Sequence, residues 1–98
     1  MDKQQAFWVE QLANGHQRVG ISDQARDDLG AISFIDVPAV GVTLTAGGKF
    51  ISVEAEKAVT DLDSPVTGQV VAINQDAIDD PSKLSSTSHD DNWIVEVN

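Results

Sequence analysis

Short apolar-bearing runs broken by glycine and proline predict an all-β domain, a sandwich or barrel, for this 98-residue chain. Two features carry that expectation. Runs such as Phe50-Ile51-Ser52-Val53-Glu54 and Trp93-Ile94-Val95-Glu96-Val97 have the residue types and near-alternation of strands. Turn signals separate such runs: Asn14-Gly15, Pro38 with Gly41, Gly47-Gly48, and Pro65 with Gly68. One stretch reads instead as a short helix, because Ile21, Ala25 and Leu29 recur every four residues.

Phe7-Trp8-Val9 and Gln11-Leu12 open the chain, and His16 to Ser22 returns after the Asn14-Gly15 turn. Asn-Gly between two such runs is a strong hairpin signal, since both residues tolerate positive φ. Trp8 is expected to cap an edge of the core, and His16 to lie at the surface. Ser22 reads as the N-cap of a helix over residues 23–29, closed by Gly30. Asp27 and Asp28 fall in its last turn, where the helix dipole disfavours negative charge by roughly 0.3–1 kcal/mol each. Solvation accounts for them, and the break with a local rule also marks them for attention.

Ala31 to Val37 predicts a strand with both faces partly buried, Ile32 and Phe34 opposing Ile35 and Val37. Pro38 ends it. Val42 and Leu44 make a brief strand, and Ala46-Gly47-Gly48 turns into Lys49-Phe50. Gln69 to Asn74 is another short strand. Residues 75–84 read as one loose helical turn and loop, and Ser85 to Ser88 as a polar loop that also leads to His89. Trp93 to Val97 closes the series, with Trp93, Val95 and Val97 expected on one face.

Residues 1–98 are expected to form a single domain, near the lower size limit for a self-sufficient core. Six basic against sixteen acidic residues leave a formal charge of −10. That argues against nucleic acid and anionic membrane, which are bound through Lys/Arg clusters, and favours partners with basic docking surfaces. Without cysteine there is no disulfide, thiolate nucleophile or Cys-ligated metal, so any redox chemistry must come on a borrowed group. His16 and His89, 73 positions apart, make no case for a metal. Met1 to Gln5 has neither an apolar h-region nor a transit pattern, and no apolar run approaches the ~20 residues of a membrane span. A cytoplasmic monomer is the expectation.

The chain is organised around Ser52 to Gly68, two short strands folded back with Glu54-Ala55-Glu56-Lys57-Ala58 at the turn and a Ser64-Pro65-Val66-Thr67-Gly68 corner after them. Ile51, Val53 and Ala55 point one way; Ser52, Glu54 and Glu56 point the other. Lys57 sits where the ribbon reverses, fully accessible. A Schiff-base or general-base lysine needs burial or positive neighbours. Here the neighbours are Glu54, Glu56, Asp61 and Asp63. Each carboxylate at close range is worth about 1 kcal/mol in water and about 4 kcal/mol near a protein surface, which favours the ammonium. Lys57 therefore reads as a substrate, an amine that another enzyme acylates.

These residues resemble the lipoyl-lysine hairpin of the glycine cleavage system H protein family. The likeness rests on Val53-Glu54-x-x-Lys57-Ala58, on Gly47 ten positions before the lysine, and on Ser64-Pro65-Val66-x-Gly68. Asp28-Leu29-Gly30-x-Ile32-x-Phe34 is similar to the family's "LGDIVFV" strand, Val37-Pro38-x-Val40-Gly41 to its "LPEVG" turn, and Asn92-Trp93-Ile94-Val95 to its closing "GWL" strand. Several unrelated short matches in the right order cover Trp8 to Val97.

The resemblance implies a barrel-sandwich hybrid of the lipoyl/biotinyl-carrier type and a non-catalytic swinging arm, with lipoate joined to Lys57. It assigns recognition to Glu54 and corner-shaping to Gly47 and Gly68; Glu56, beside the lysine, is expected to share in recognition, as are the two glycines. Implied partners are a lipoate ligase or lipoyltransferase and a dihydrolipoamide dehydrogenase-like reductase.

Departures from the family pattern are Ala6-Phe7 before Trp8 where His-Glu is usual, Ala55-Glu56 where Ser-Val or Ser-Ala is usual, and Ala31 in place of Asp. The chain also stops at Asn98 without the family's C-terminal helix, and is equally short at the front. They resemble the short H-like branch from bacterial operons that pair a lipoate ligase with a macrodomain hydrolase and a protein ADP-ribosyltransferase. That likeness implies a redox-defence role, with Asp27, or else Asp28, as ADP-ribose acceptor. A conventional H protein, passing an aminomethyl group between glycine decarboxylase and aminomethyltransferase, is the alternative. Biotin carriers flank their lysine with methionine, and the one methionine here is Met1. An unmodified β scaffold is the alternative of another class.

Overall fold

In a computed structural model describing residues 6–98, the short runs become two antiparallel sheets. Met1 to Gln5, read above for a targeting pattern, lie outside the described residues. The elements are β1 (Phe7–Gln11), β2 (Gln17–Ile21), α1 (Asp23–Leu29), β3 (Ile32–Asp36), β4 (Thr43–Leu44), β5 (Lys49–Ala55), β6 (Val59–Asp63) and β7 (Gly68–Ile73). They continue with α2 (Gln75–Asp79), a 3-10 helix (Pro81–Ser85), α3 (His89–Asn92) and β8 (Trp93–Val97). One sheet has the order β1-β2-β8-β7-β4, the other β3-β5-β6. The all-β expectation holds, including the helix at residues 23–29.

Asn14-Gly15 reverses β1 into β2 within a loop closed by Leu12 N–H to His16 C=O at 2.8 Å. Gly15 adopts φ +85°, the left-handed conformation that lets this loop rejoin the ladder. Between the sheets lie Val19, Ile21, Val95 and Val97 from the larger one and Ile35, Ile51, Val53 and Leu62 from the smaller, all buried. Phe7 and Phe50 meet edge to face at 5.1 Å between ring centroids and tie β1 to β5.

Among the described residues four strand pairs carry a register shift, and two of these shifts correct the faces expected from alternation. The β3–β5 register shifts between Ile32 and Phe34, so Ile32 and Ile35 both turn inward and Phe34 is 52% exposed, not partly buried. The β2–β8 register shifts between Val19 and Gly20, which buries Ile94 with Val95 and Val97. Trp93 is only half-buried, with the Arg18 guanidinium 4.7 Å above its ring centroid. The expected single face of Trp93, Val95 and Val97 is corrected accordingly.

The stretch after β7 is more ordered than its composition suggested. Asn74 caps α2, Asp80 caps the 3-10 helix, and Ser88 caps α3, so that His89, expected in a polar loop, opens a helical turn. Asn92 is fully buried. Its Oδ1 accepts from Trp8 Nε1 at 2.8 Å and its Nδ2 donates to Ser86 C=O at 2.8 Å. Trp8 covers Gly20 and stacks on His89 at 3.8 Å, so it caps the sheet edge as expected, through partners the sequence did not name. His16 lies near the surface and pairs with Glu96 at 2.8 Å.

Candidate functional site

β5 and β6 form the most closely paired hairpin of the smaller sheet, with Ser52 opposite Asp61, Val53 opposite Thr60 and Glu54 opposite Val59. Val53 is buried and Glu54 exposed, as alternation required. Strand structure continues through Ala55, so the reversal narrows to residues 56–58, closed by Ala55 N–H to Ala58 C=O at 2.9 Å. Lys57 is exposed at this tip.

The tip does not project freely. It rests on the C-terminal end of α1, whose Ser22 N-cap accepts from Ala25 N–H at 3.1 Å and whose Gly30 closes it at φ +74°. Helix ends leave backbone carbonyls without intrahelical donors, and here the hairpin supplies them. Lys57 N–H donates to Leu29 C=O at 3.0 Å, and Glu56 N–H to Ala31 C=O at 3.0 Å. Glu56 Oε1 accepts from Ala31 N–H at 2.8 Å. Lys57 Nζ donates to Asp27 C=O at 2.9 Å.

Two consequences follow for the charges. Among the described residues, no carboxylate lies within ion-pair distance of Lys57, although the sequence placed four nearby. Its partner is a backbone carbonyl, because Glu56 is turned to Ala31. The ammonium also meets the helix end that carries Asp27 and Asp28, both exposed, and offsets the unfavourable dipole there.

Glu54 lies on the outer face of the sheet, in a shallow groove of about 230 Å³ lined with Phe34, Ser52, Val59 and Asp61. Gly47 and Gly68 sit elsewhere. Lys49 pairs with Asp63 at the base of the hairpin, and Gly47 donates to Ser64 C=O at 2.9 Å beyond that pair. A Cβ at Gly68 would stand 2.6 Å from Asn98 O, so this glycine permits close approach of the chain end. Gly47 precedes the first residue of β5 by two positions, on the order of 20 Å from the tip at strand rise, and Gly68 opens β7 in the other sheet. Among the described residues no cluster of three or more His, Cys, Asp or Glu is arranged to hold a metal, and no helix is long and apolar enough to cross a membrane.

Sequence reading missed the seating of the tip on α1 and the exposure of Phe34. The departures at Glu56 and Ala31 were a usable signal, since those two residues bond to each other. What the arrangement offers is one primary amine, reachable from solvent, on a base fixed by backbone hydrogen bonds.

Comparison with known proteins gives a consistent family. The chain matches the family profile described as "Glycine cleavage H-protein" over residues 1–98. It is 41% identical over 90 residues to the glycine cleavage system H protein of Mycolicibacterium vanbaalenii, covering 92% of this chain and 69% of that one. The H protein of Streptomyces avermitilis is likewise 41% identical over 90 residues, covering 92% and 72%. A crystal structure of a glycine cleavage system H protein from Mycobacterium marinum superposes with a TM-score of 0.84 at 33% identity, covering 99% of this chain and 79% of that one.

Proposed function

We propose, for a chain that belongs to the glycine cleavage H-protein family, that Lys57 is the residue on which its cofactor is carried. Members of this family are non-catalytic carriers that hold lipoate covalently on a lysine. The observation behind the assignment is the exposed Lys57 amine on a hairpin tip, bonded to one backbone carbonyl and to no carboxylate among the described residues.

Loading is an acyl transfer. Lys57 Nζ attacks the acyl carbon of an activated lipoyl donor, such as the acyl adenylate made by a lipoate ligase. The amide C–N bond forms, the acyl–oxygen bond breaks, and the leaving group departs with its electron pair. Two protons leave the former ammonium, and the formal charge goes from −10 to −11. When attached, lipoate supplies the dithiol–disulfide pair that this cysteine-free chain lacks. Lys57 provides the tether, and tethering raises the local concentration of the carried group at each partner. Glu54 and Glu56 act in recognition, Glu54 through its carboxylate and Glu56 by seating the tip. Gly47 and Gly68 keep the corners.

Residues 1–98 act as one lipoyl-carrier domain, a cytoplasmic monomer. Its partners are a lipoate ligase or lipoyltransferase, a dihydrolipoamide dehydrogenase-like reductase, and the glycine decarboxylase and aminomethyltransferase between which an H protein works. A second setting, linked to an ADP-ribosyltransferase and a macrodomain hydrolase, has one supporting observation. Asp27, the proposed acceptor, is exposed on the helix end that receives Lys57 Nζ.

Intact mass after incubation with lipoate ligase, lipoate and ATP tests the assignment: one lipoyl adduct is expected, absent in Lys57→Ala. A wild-type chain left unmodified under conditions that load a known carrier overturns it. Glu54→Lys should slow loading while the fold stays intact, and unchanged kinetics would remove its recognition role. Peptide mapping after treatment with an ADP-ribosyltransferase decides the second setting, with adducts on Asp27 or Asp28 in favour and none against.

A further inference from the structure

We infer that the groove beside the tip, on the outer face of β3, β5 and β6, is where the enzyme acylating Lys57 docks a basic, apolar-tipped part of its surface. The inference rests on the lipoyl-carrier reading above. Register puts Phe34, Glu54 and Val59 in one row across the three strands, and Asp36, Ser52 and Asp61 in the row below. Phe34 is 52% and Val59 78% exposed. Single exposed apolar residues are ordinary on a protein surface. Two of them flanking one carboxylate, in the last row before the acceptor lysine that spans all three strands, make a built feature.

The chemistry of the rows selects the occupant. Asp36, Glu54 and Asp61 contribute three carboxylates, and among the described residues none of them is in an ion pair. Asp61 is held by Ser52 Oγ at 2.6 Å; Glu54 stands between the two apolar side chains. The complement is an apolar side chain that covers Phe34 and Val59, flanked by Lys or Arg for the carboxylates. A second copy of this chain is the wrong partner, because it would set three carboxylates against three more. At about 230 Å³ the groove is smaller than the roughly 300–1,000 Å³ of small-molecule sites and suits one or two side chains.

Steady-state lipoylation with a lipoate ligase, varying the concentration of the carrier, provides the test. Val59→Ser and Phe34→Ser should each raise the KM for the carrier by about tenfold, with kcat unchanged, because the lost contact is apolar area covered on docking. Val59→Ile should stay close to wild type. Val40→Ser, which removes another exposed valine outside these rows, should leave KM unaltered, and wild-type KM should rise with salt. Circular dichroism melts check that the variants fold.

Equal KM values for wild type, Val59→Ser and Phe34→Ser, on a chain that does become lipoylated, overturn the docking surface and leave the Lys57 assignment standing. No adduct on the wild type overturns that assignment itself. A wild-type dimer in sedimentation velocity that Val59→Ser dissolves gives the face to self-association, and also overturns the proposal.

Discussion

Cutting Glu56 back to alanine tests whether the lysine is presented from a fixed base. In Glu56→Ala the Ala31 N–H loses an acceptor at 2.8 Å, while Glu56 N–H to Ala31 C=O and Lys57 N–H to Leu29 C=O remain. A hydrogen bond to a charged group contributes about 1.5–3 kcal/mol when shielded, and exposure at the tip reduces that to about 1 kcal/mol. Since 1.4 kcal/mol is a factor of ten, the tip should open about fivefold more often. Amide hydrogen exchange followed by NMR reads this directly. Protection at Glu56 and Lys57 should fall about fivefold, while amides in the middle of β5 keep their wild-type rates, because the opening is local. Glu56→Gln keeps an acceptor oxygen and should lose less. Unchanged protection at Lys57 in Glu56→Ala would refute the idea that the carboxylate seats the tip.

Two further substitutions probe the opposite sheet. Asn92→Ala strands Trp8 Nε1 and Ser86 C=O, at about 1–3 kcal/mol for each unpaired group, so urea melts should show a loss of about 2–6 kcal/mol; a loss under about 1 kcal/mol would contradict the network. Gly20→Ala places a Cβ 2.3 Å from the Trp8 ring, which must swing off the sheet; a red-shifted tryptophan emission and about 1–3 kcal/mol of lost stability are expected, and unchanged emission counts against it.

Where local chemistry decided the outcome, the sequence was readable. Asn14-Gly15, Ser22 and Gly30 act through their own backbone or side chain, and each does what its residue type suggested. The hairpin carrying Lys57 was equally legible, because Glu54 and Val53 obey period two. Bulges were not. A register shift moves Phe34 outward without any mark in composition, since Ser33 is an extra residue of β3 with no partner on β5. Asn92 looked like one more polar residue in a Ser-rich stretch, yet it is buried where Trp8, 84 positions away, finds an acceptor and Ser86 C=O, six positions away, a donor. The seating of Glu56 and Lys57 on α1 joins residues 25 to 30 positions apart, beyond what spacing along the chain can show.

On the proposed assignment Lys57 must satisfy two demands that pull against each other, a fixed position for recognition and a free amine for reaction. The contacts at the tip divide these between different atoms. Backbone bonds from Glu56 and Lys57 to the end of α1, with the Glu56 carboxylate, fix the Cα position. The amine itself makes one exposed bond, to Asp27 C=O. A hydrogen bond of this kind contributes about 0.5–1.5 kcal/mol net, a factor of roughly 2 to 10 between held and released forms, so release is frequent. A buried ion pair in its place would cost about 3–5 kcal/mol to break, a factor of roughly a hundred to several thousand. Turning Glu56 away from Lys57 and toward Ala31 therefore serves both demands: it steadies the strand reversal and removes the nearest carboxylate in sequence from the amine.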